Sequence, residues 1–169
     1  MKDVLLTVVI FILSCVTLKA QNIEILSSDS TEVKVKLTDG KNMAVPLGGY
    51  RIVGDDISLR DYFVYRNGNK IGKYNQRRLK LQNGERLRFS LQGNEVVLRD
   101  SNRNVVTRGE LIFDKKYNYL KTIKITDNTF YDPQITESWL VLKTVHNLKP
   151  DQENNDFIHG LIIGTAIGN

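Results

Sequence analysis

Residues 31–37 alternate cleanly, with Val33, Val35 and Leu37 on one face and Glu32, Lys34 and Lys36 on the other. A period of two is that of a half-buried strand. Asp39-Gly40 follows as a turn. Tyr62-Phe63-Val64-Tyr65 is aromatic and β-branched, runs into Arg66-Asn67-Gly68-Asn69, and gives way to Ile71. Asn-Gly between two apolar runs is a strong hairpin signal. The device recurs: Leu79 and Leu81, then Asn83-Gly84, then Leu87, Phe89 and Leu91. Gln92-Gly93-Asn94 turns into Val96-Val97-Leu98, and Asp100-Ser101-Asn102 turns into Val105-Val106. Leu111-Ile112-Phe113 reads as another short run. Residues 121–126 alternate with Ile123 and Ile125 inward, and Trp139 to Leu142 reads as a late apolar strand. Strands spaced about 8–12 residues apart with turn chemistry between them predict a mainly β fold, an antiparallel barrel or sandwich of hairpin-connected strands. Pro46, Pro133 and Pro150 lie outside the strongest strands, as ladder hydrogen bonding requires.

The C-terminal region breaks this pattern. Residues 149–156 form the most polar stretch of the chain, and Phe157, Ile158, Leu161, Ile162, Ile163, Ala166 and Ile167 follow. Asn155 or Asp156 suits a helix N-cap. A terminal helix over 157–168, apolar nearly all round, has to be buried. Gly160, Gly164 and Gly168 recur every four residues and line one face of it, which points to close backbone approach. Three readings stand: a helix plugged into the β core, a short membrane-inserting or oligomerising segment, and a terminal strand. The first accords best with length and periodicity.

The first twenty residues carry the layout of a secretory signal peptide. Lys2 is followed by nearly unbroken apolar sequence from Val4 to Leu18, then by Lys19-Ala20. The run is short for a membrane span, which needs about 20 residues, so no transmembrane span is expected in the mature chain. Ile12-Leu13-Ser14-Cys15 resembles the lipobox of bacterial lipoproteins, in which the cysteine is lipidated. The plainer reading makes Cys15 a small hydrophobe in a discarded leader. Cleavage after Ala20 leaves residues 21–169 as a single domain without cysteine, because Cys15 is the only one. That domain has no disulfide or thiol chemistry and depends on its core. The expected location is periplasmic or secreted, with an anchor at Cys15 as the alternative.

The hairpins at Tyr62–Tyr74 and Val96–Arg108, which echo one another as strand, Arg, polar turn, strand, together with the tail Phe157–Ile167, resemble the tubby C-terminal-like superfamily. This group includes the plant LURP-one-related proteins and phospholipid scramblases. The resemblance spans about the last two thirds of the chain as a pattern. It implies an antiparallel barrel of repeated hairpins around a hydrophobic helix, usually C-terminal; this chain is short for the closed twelve-stranded form, so some strands have to be absent or very brief. Family members include proteins that bind phosphoinositides through a basic surface, but no such residue position carries over here.

Charge adds one feature. The chain has 24 Lys and Arg against 19 Asp and Glu, a net charge of +5, and loss of Lys2, Lys19 and Asp3 with the leader lowers it by one. This mild excess favours anionic surfaces and is too interspersed for nucleic acid. It is concentrated in one place: Lys70, Lys73, Arg77, Arg78, Lys80, Arg86 and Arg88 face a single acid, Glu85, in the interval 70–88. Lys80, Arg86 and Arg88 alternate with Leu79, Leu81 and Leu87, so they point outward from one hairpin. Such a face suits phosphate-bearing lipid, lipopolysaccharide or acidic polysaccharide, with Tyr62, Tyr65 and Tyr74 available to stack on sugar rings. The plainer reading is a solvated face whose cations block edge aggregation.

Chemistry is otherwise sparse. His146 and His159 are the only histidines, too few for a zinc site without further ligands. No G-x-S-x-G elbow and no Walker or dinucleotide glycine loop is present. Asp55-Asp56 reads as a turn rather than a catalytic acid pair. No cofactor or metal is expected. The resulting expectation is an exported, non-enzymatic binding or envelope-associated domain with an anionic lipid or glycan as partner. The alternatives are a homo-oligomeric structural subunit assembled through the glycine-striped tail, and a small secreted enzyme.

Overall fold

The computed structural model describes residues 21–116, 119–130 and 132–148. Twelve antiparallel strands run in chain order around a closed barrel: β1 (Gln21–Ser28), β2 (Glu32–Lys36), β3 (Asn42–Pro46), β4 (Ile52–Gly54), β5 (Ile57–Arg60), β6 (Phe63–Arg66), β7 (Asn69–Tyr74), β8 (Arg78–Leu81), β9 (Arg86–Gln92), β10 (Glu95–Arg99), β11 (Val105–Phe113) and β12 (Leu120–Asn128). Each strand pairs with its chain neighbours, and β1 closes the ring on β12 with Ile23 opposite Ile123. The turns obey their chemistry. Asn67 (φ 48°) and Gly68 (φ 78°) are both left-handed, as the two-residue turn between β6 and β7 requires.

One helix, α1 (Pro133–Leu148), follows β12. Eleven consecutive residues, Ile135–Val145, are buried, which covers three turns on every side. It contacts β3, β4 and β5 and also β9 and β10 across the ring, so it lies within the barrel. A barrel of eight strands is filled by its own side chains, and a wider one has room to spare. A helix with its side chains is about 10–12 Å across and occupies that room here. Trp139, Leu140, Val141 and Leu142 are wholly inaccessible to solvent.

Trp139–Leu142 is helical and not a late strand. Trp and Val favour strands locally, but burial on all sides overrides that preference. Asp132-Pro133 marks the true start: Asp132 Oδ1 accepts the N–H of Ile135 at 3.3 Å, and proline stands at the first helical position. Leu111–Phe113 is the far end of β11 rather than a separate element. The proposed helix at 157–168, with Gly160, Gly164 and Gly168, lies outside the described residues, as do Cys15 and His159.

The N-terminal half of α1 is pinned by polar contacts. Glu137, buried, accepts the Thr38 N–H at 3.0 Å and the Thr38 hydroxyl at 2.6 Å. Asn128 Nδ2 lies 3.4 Å away. Arg66 pairs with Asp132. Burial pushes the Glu137 carboxyl above its ordinary value of 4.5, against the lowering effect of the Thr38 bonds. The folded protein therefore holds this proton more tightly than the unfolded chain. Its stabilising contribution is full below pH 4.5 and is lost as pH rises through the folded value. Glu137→Gln removes that slope. The melting temperature of the variant relative to wild type is expected to climb between about pH 4 and about pH 7, and a flat difference would refute it.

The barrel wall is tight where β7 meets β8. Gly72 faces inward opposite Val64 and Leu81. A β-carbon there would stand 2.7 Å from the Lys80 carbonyl oxygen and 2.9 Å from a Leu81 methyl. Because the nearer obstacle is backbone, Gly72→Ala is expected to destabilise the fold by about 1–3 kcal/mol. A lowered urea midpoint with an unchanged slope is the expected readout, and an unshifted midpoint counts against it.

Candidate functional site

The sequence-predicted basic residues are all exposed. Strand register brings five of them together on the outer face. Lys73 stands opposite Lys80 and Lys80 opposite Arg86; Arg78 stands opposite Arg88 and Arg88 opposite Arg99. Two cross-strand rows of cations result, about 7 Å apart along the strands. Arg99, on β10, extends the second row and belongs to the face although the reading by spacing stopped at Arg88. Like charges directly opposite one another destabilise a sheet. Among the described residues none of Lys73, Arg78, Lys80, Arg86 and Arg88 has a carboxylate within ion-pair distance. Lys70 and Arg77 sit apart from these rows. Lys70 places its ammonium 3.4 Å over the Phe63 ring. Arg77 lies in the β7–β8 turn, where Asn75 Oδ1 accepts its N–H at 2.9 Å.

The tyrosines divide differently from the expectation. Tyr74 is only 4% exposed and donates its hydroxyl to the Tyr50 carbonyl at 2.7 Å; burial pushes that hydroxyl up to about 12. It belongs to the core and is closed to a sugar ring. Tyr65 lies beneath Arg60, whose guanidinium is 5.0 Å from the ring centre. Tyr62 alone of the three stands clear, 59% exposed. It shares with Asp61 a two-residue β5–β6 turn in which both are left-handed (φ 65° and 52°). A bulky aromatic in that conformation is strained. Asp55 and Asp56 occupy the β4–β5 turn, where Asp56 pairs with Lys41.

A second feature has no counterpart in the sequence reading. At the C-terminal end of α1, β9 outruns β8: Arg88 is its last residue in register with that strand, and Phe89–Gln92 pairs with β10 alone. The gap between this segment and the β7–β8 turn opens a notch of about 730 Å³, which reaches Lys143 on the helix. Tyr50, Tyr62, Arg77, Phe89 and His146 also line it. Lys143 is 7% exposed. Its ammonium has no hydrogen-bond or ion-pair partner among the described residues; it rests 5.4 Å from the Tyr50 ring centre and 5.5 Å from that of Phe89. Burial pulls the ammonium below its ordinary value of 10.5. The buried Tyr50 hydroxyl also lacks a partner among the described residues, and burial raises its value. Nε2 of His146 is 3.1 Å from the Gly49 carbonyl oxygen, and the His146 ring packs 4.2 Å from that of Tyr50. A lone lysine in the apolar run 139–145 was the available signal, and it reads as out of place only once that run is known to be internal.

Lys80 is flanked by cations on both sides, so Lys80→Glu is expected to raise stability by up to about 1 kcal/mol at low salt. The gain should shrink in concentrated salt; chemical unfolding at two ionic strengths measures it, and a loss of stability at low salt would contradict the charge reading of this face. Compared with known proteins, the chain matches no family model, no curated protein and no solved structure.

Proposed function

We propose that this protein is an exported, non-enzymatic domain that binds phosphate-bearing lipid headgroups of the cell envelope through the outer face of β7–β10. The observation that carries this is the pair of cation rows. Five like-charged side chains, extended by Arg99, occupy one sheet face in directly opposed positions at an energetic disadvantage. A ligand with several phosphates relieves that repulsion, and each cation near an anionic surface contributes about 1 kcal/mol. The burial of Tyr74 and the covering of Tyr65 leave few rings for sugar stacking, which favours phosphate over glycan. The leader-like pattern of residues 1–20 supports export. A closed barrel of twelve antiparallel strands around a buried helix also supports kinship with the tubby C-terminal-like superfamily.

Sedimentation with phosphatidylglycerol-containing vesicles tests the reading. Binding is expected to weaken steeply between about 0.05 M and about 0.5 M salt. Reversing Arg78, Lys80, Arg86 and Arg88 to Glu should lower vesicle affinity by about a hundredfold or more. Unchanged affinity in that variant refutes the proposal, as does capture by an acidic polysaccharide with none by vesicles.

A further inference from the structure

The notch at the C-terminal end of α1 is distinct from the outer face and has its own logic. Partial removal of an ammonium from water without an anion or hydrogen-bond acceptor is costly, and Lys143, 7% exposed, meets the notch from between two aromatic rings. Ring faces compensate a cation in part and leave its N–H donors unsatisfied. Arg77 and His146 stand on the same walls, and no carboxylate is among the lining residues. Flat apolar surface comes from Tyr50, Phe89 and Tyr62. Tyr62 is kept at this lip in a turn conformation that favours glycine. A volume of about 730 Å³ is that of a site for a small organic molecule.

We propose that this notch binds a small molecule bearing a single carboxylate, sulfonate or phosphate on a flat apolar body, with the anionic group on Lys143 and the body between Tyr50, Tyr62 and Phe89. The lysine then trades its ring contacts for a charge-assisted bond. The β9 edge beyond Arg88, with no strand beside it, forms the open side through which the ligand enters.

Anilinonaphthalene sulfonate and its uncharged parent, N-phenylnaphthylamine, share one aromatic body and differ by the anion, so they make a matched pair of probes. Fluorescence titration of the folded protein is expected to show saturable, one-to-one binding of the sulfonate and binding of the parent at least about tenfold weaker. Lys143→Met keeps the length and packing of the side chain. It should erase that preference, lowering sulfonate affinity by about tenfold or more while near-ultraviolet circular dichroism stays native. Tyr62→Gly relaxes the turn while removing a ring that lies 6.0 Å from that of Tyr74, and should weaken both probes without unfolding the protein. Equal binding of the two probes by the wild-type protein overturns the site. So does sulfonate binding that survives both Lys143→Met and Tyr62→Gly. The outer-face variant serves as the charge control: if it loses the sulfonate as fully as Lys143→Met does, the notch is not where the probe binds.

Discussion

The interior of the ring has to be filled, and the rest of the structure depends on how this is done. Twelve strands enclose more space than their own inward side chains occupy, and a void of that size in a protein interior forfeits dispersion contacts on every surface that lines it. Helix α1 resolves the problem, with Trp139 and its neighbours wholly enclosed. The polar anchors at Asp132 and Glu137 follow from this, because a helix inside a sheet has to be fixed along its axis by directional bonds that apolar packing does not provide. The inward glycine at position 72 answers a separate constraint, the close approach of β8 to β7 within the wall itself.

Much of the wall was legible from the sequence. Strands β2, β8 and β9 announce themselves through alternation beside Asp-Gly or Asn-Gly, β12 through alternation alone, and β6 and β10 as apolar runs next to Asn-Gly or Gly-Asn, because an antiparallel sheet with one wet face tends to repeat with a period of two. Strand β4 is three residues long, too short for any period to register. The filler was not legible, for a related reason. Ile135–Val145 meets protein on all sides, so it has no polar stripe and therefore no helical period, and its β-branched and aromatic residues imitate a strand. Its one local sign, Asp132 as a cap before proline at the first helical position, names a start without showing how far the helix runs.

The candidate sites divide along the same line. Lys73, Lys80, Arg86 and Arg88 were readable because outward cations alternate with inward leucines on adjacent strands. Arg99 escaped because it joins the group through register and not through proximity in the chain. The Lys143 notch escaped altogether: it is made by a mismatch in strand length between β8 and β9, over a helix whose location the sequence conceals. Tyr74 shows the reverse error. An aromatic beside a basic cluster looks available for recognition, yet alternation along β7 turns it inward to the Tyr50 carbonyl.

The order of elements around the ring has a kinetic consequence. The first strand is hydrogen-bonded to the twelfth, and the segment that fills the interior comes after both. No shorter stretch from the N-terminus contains a closed sheet or a packed centre, so maturation is an event of the entire chain. Contacts between its most distant parts form last, against the loop entropy of everything between them. Until then, the inward leucines, valines and isoleucines of the strands remain exposed to other chains. The molecule is thus bound to fold slowly and late, and its assembly competes with aggregation until α1 is seated.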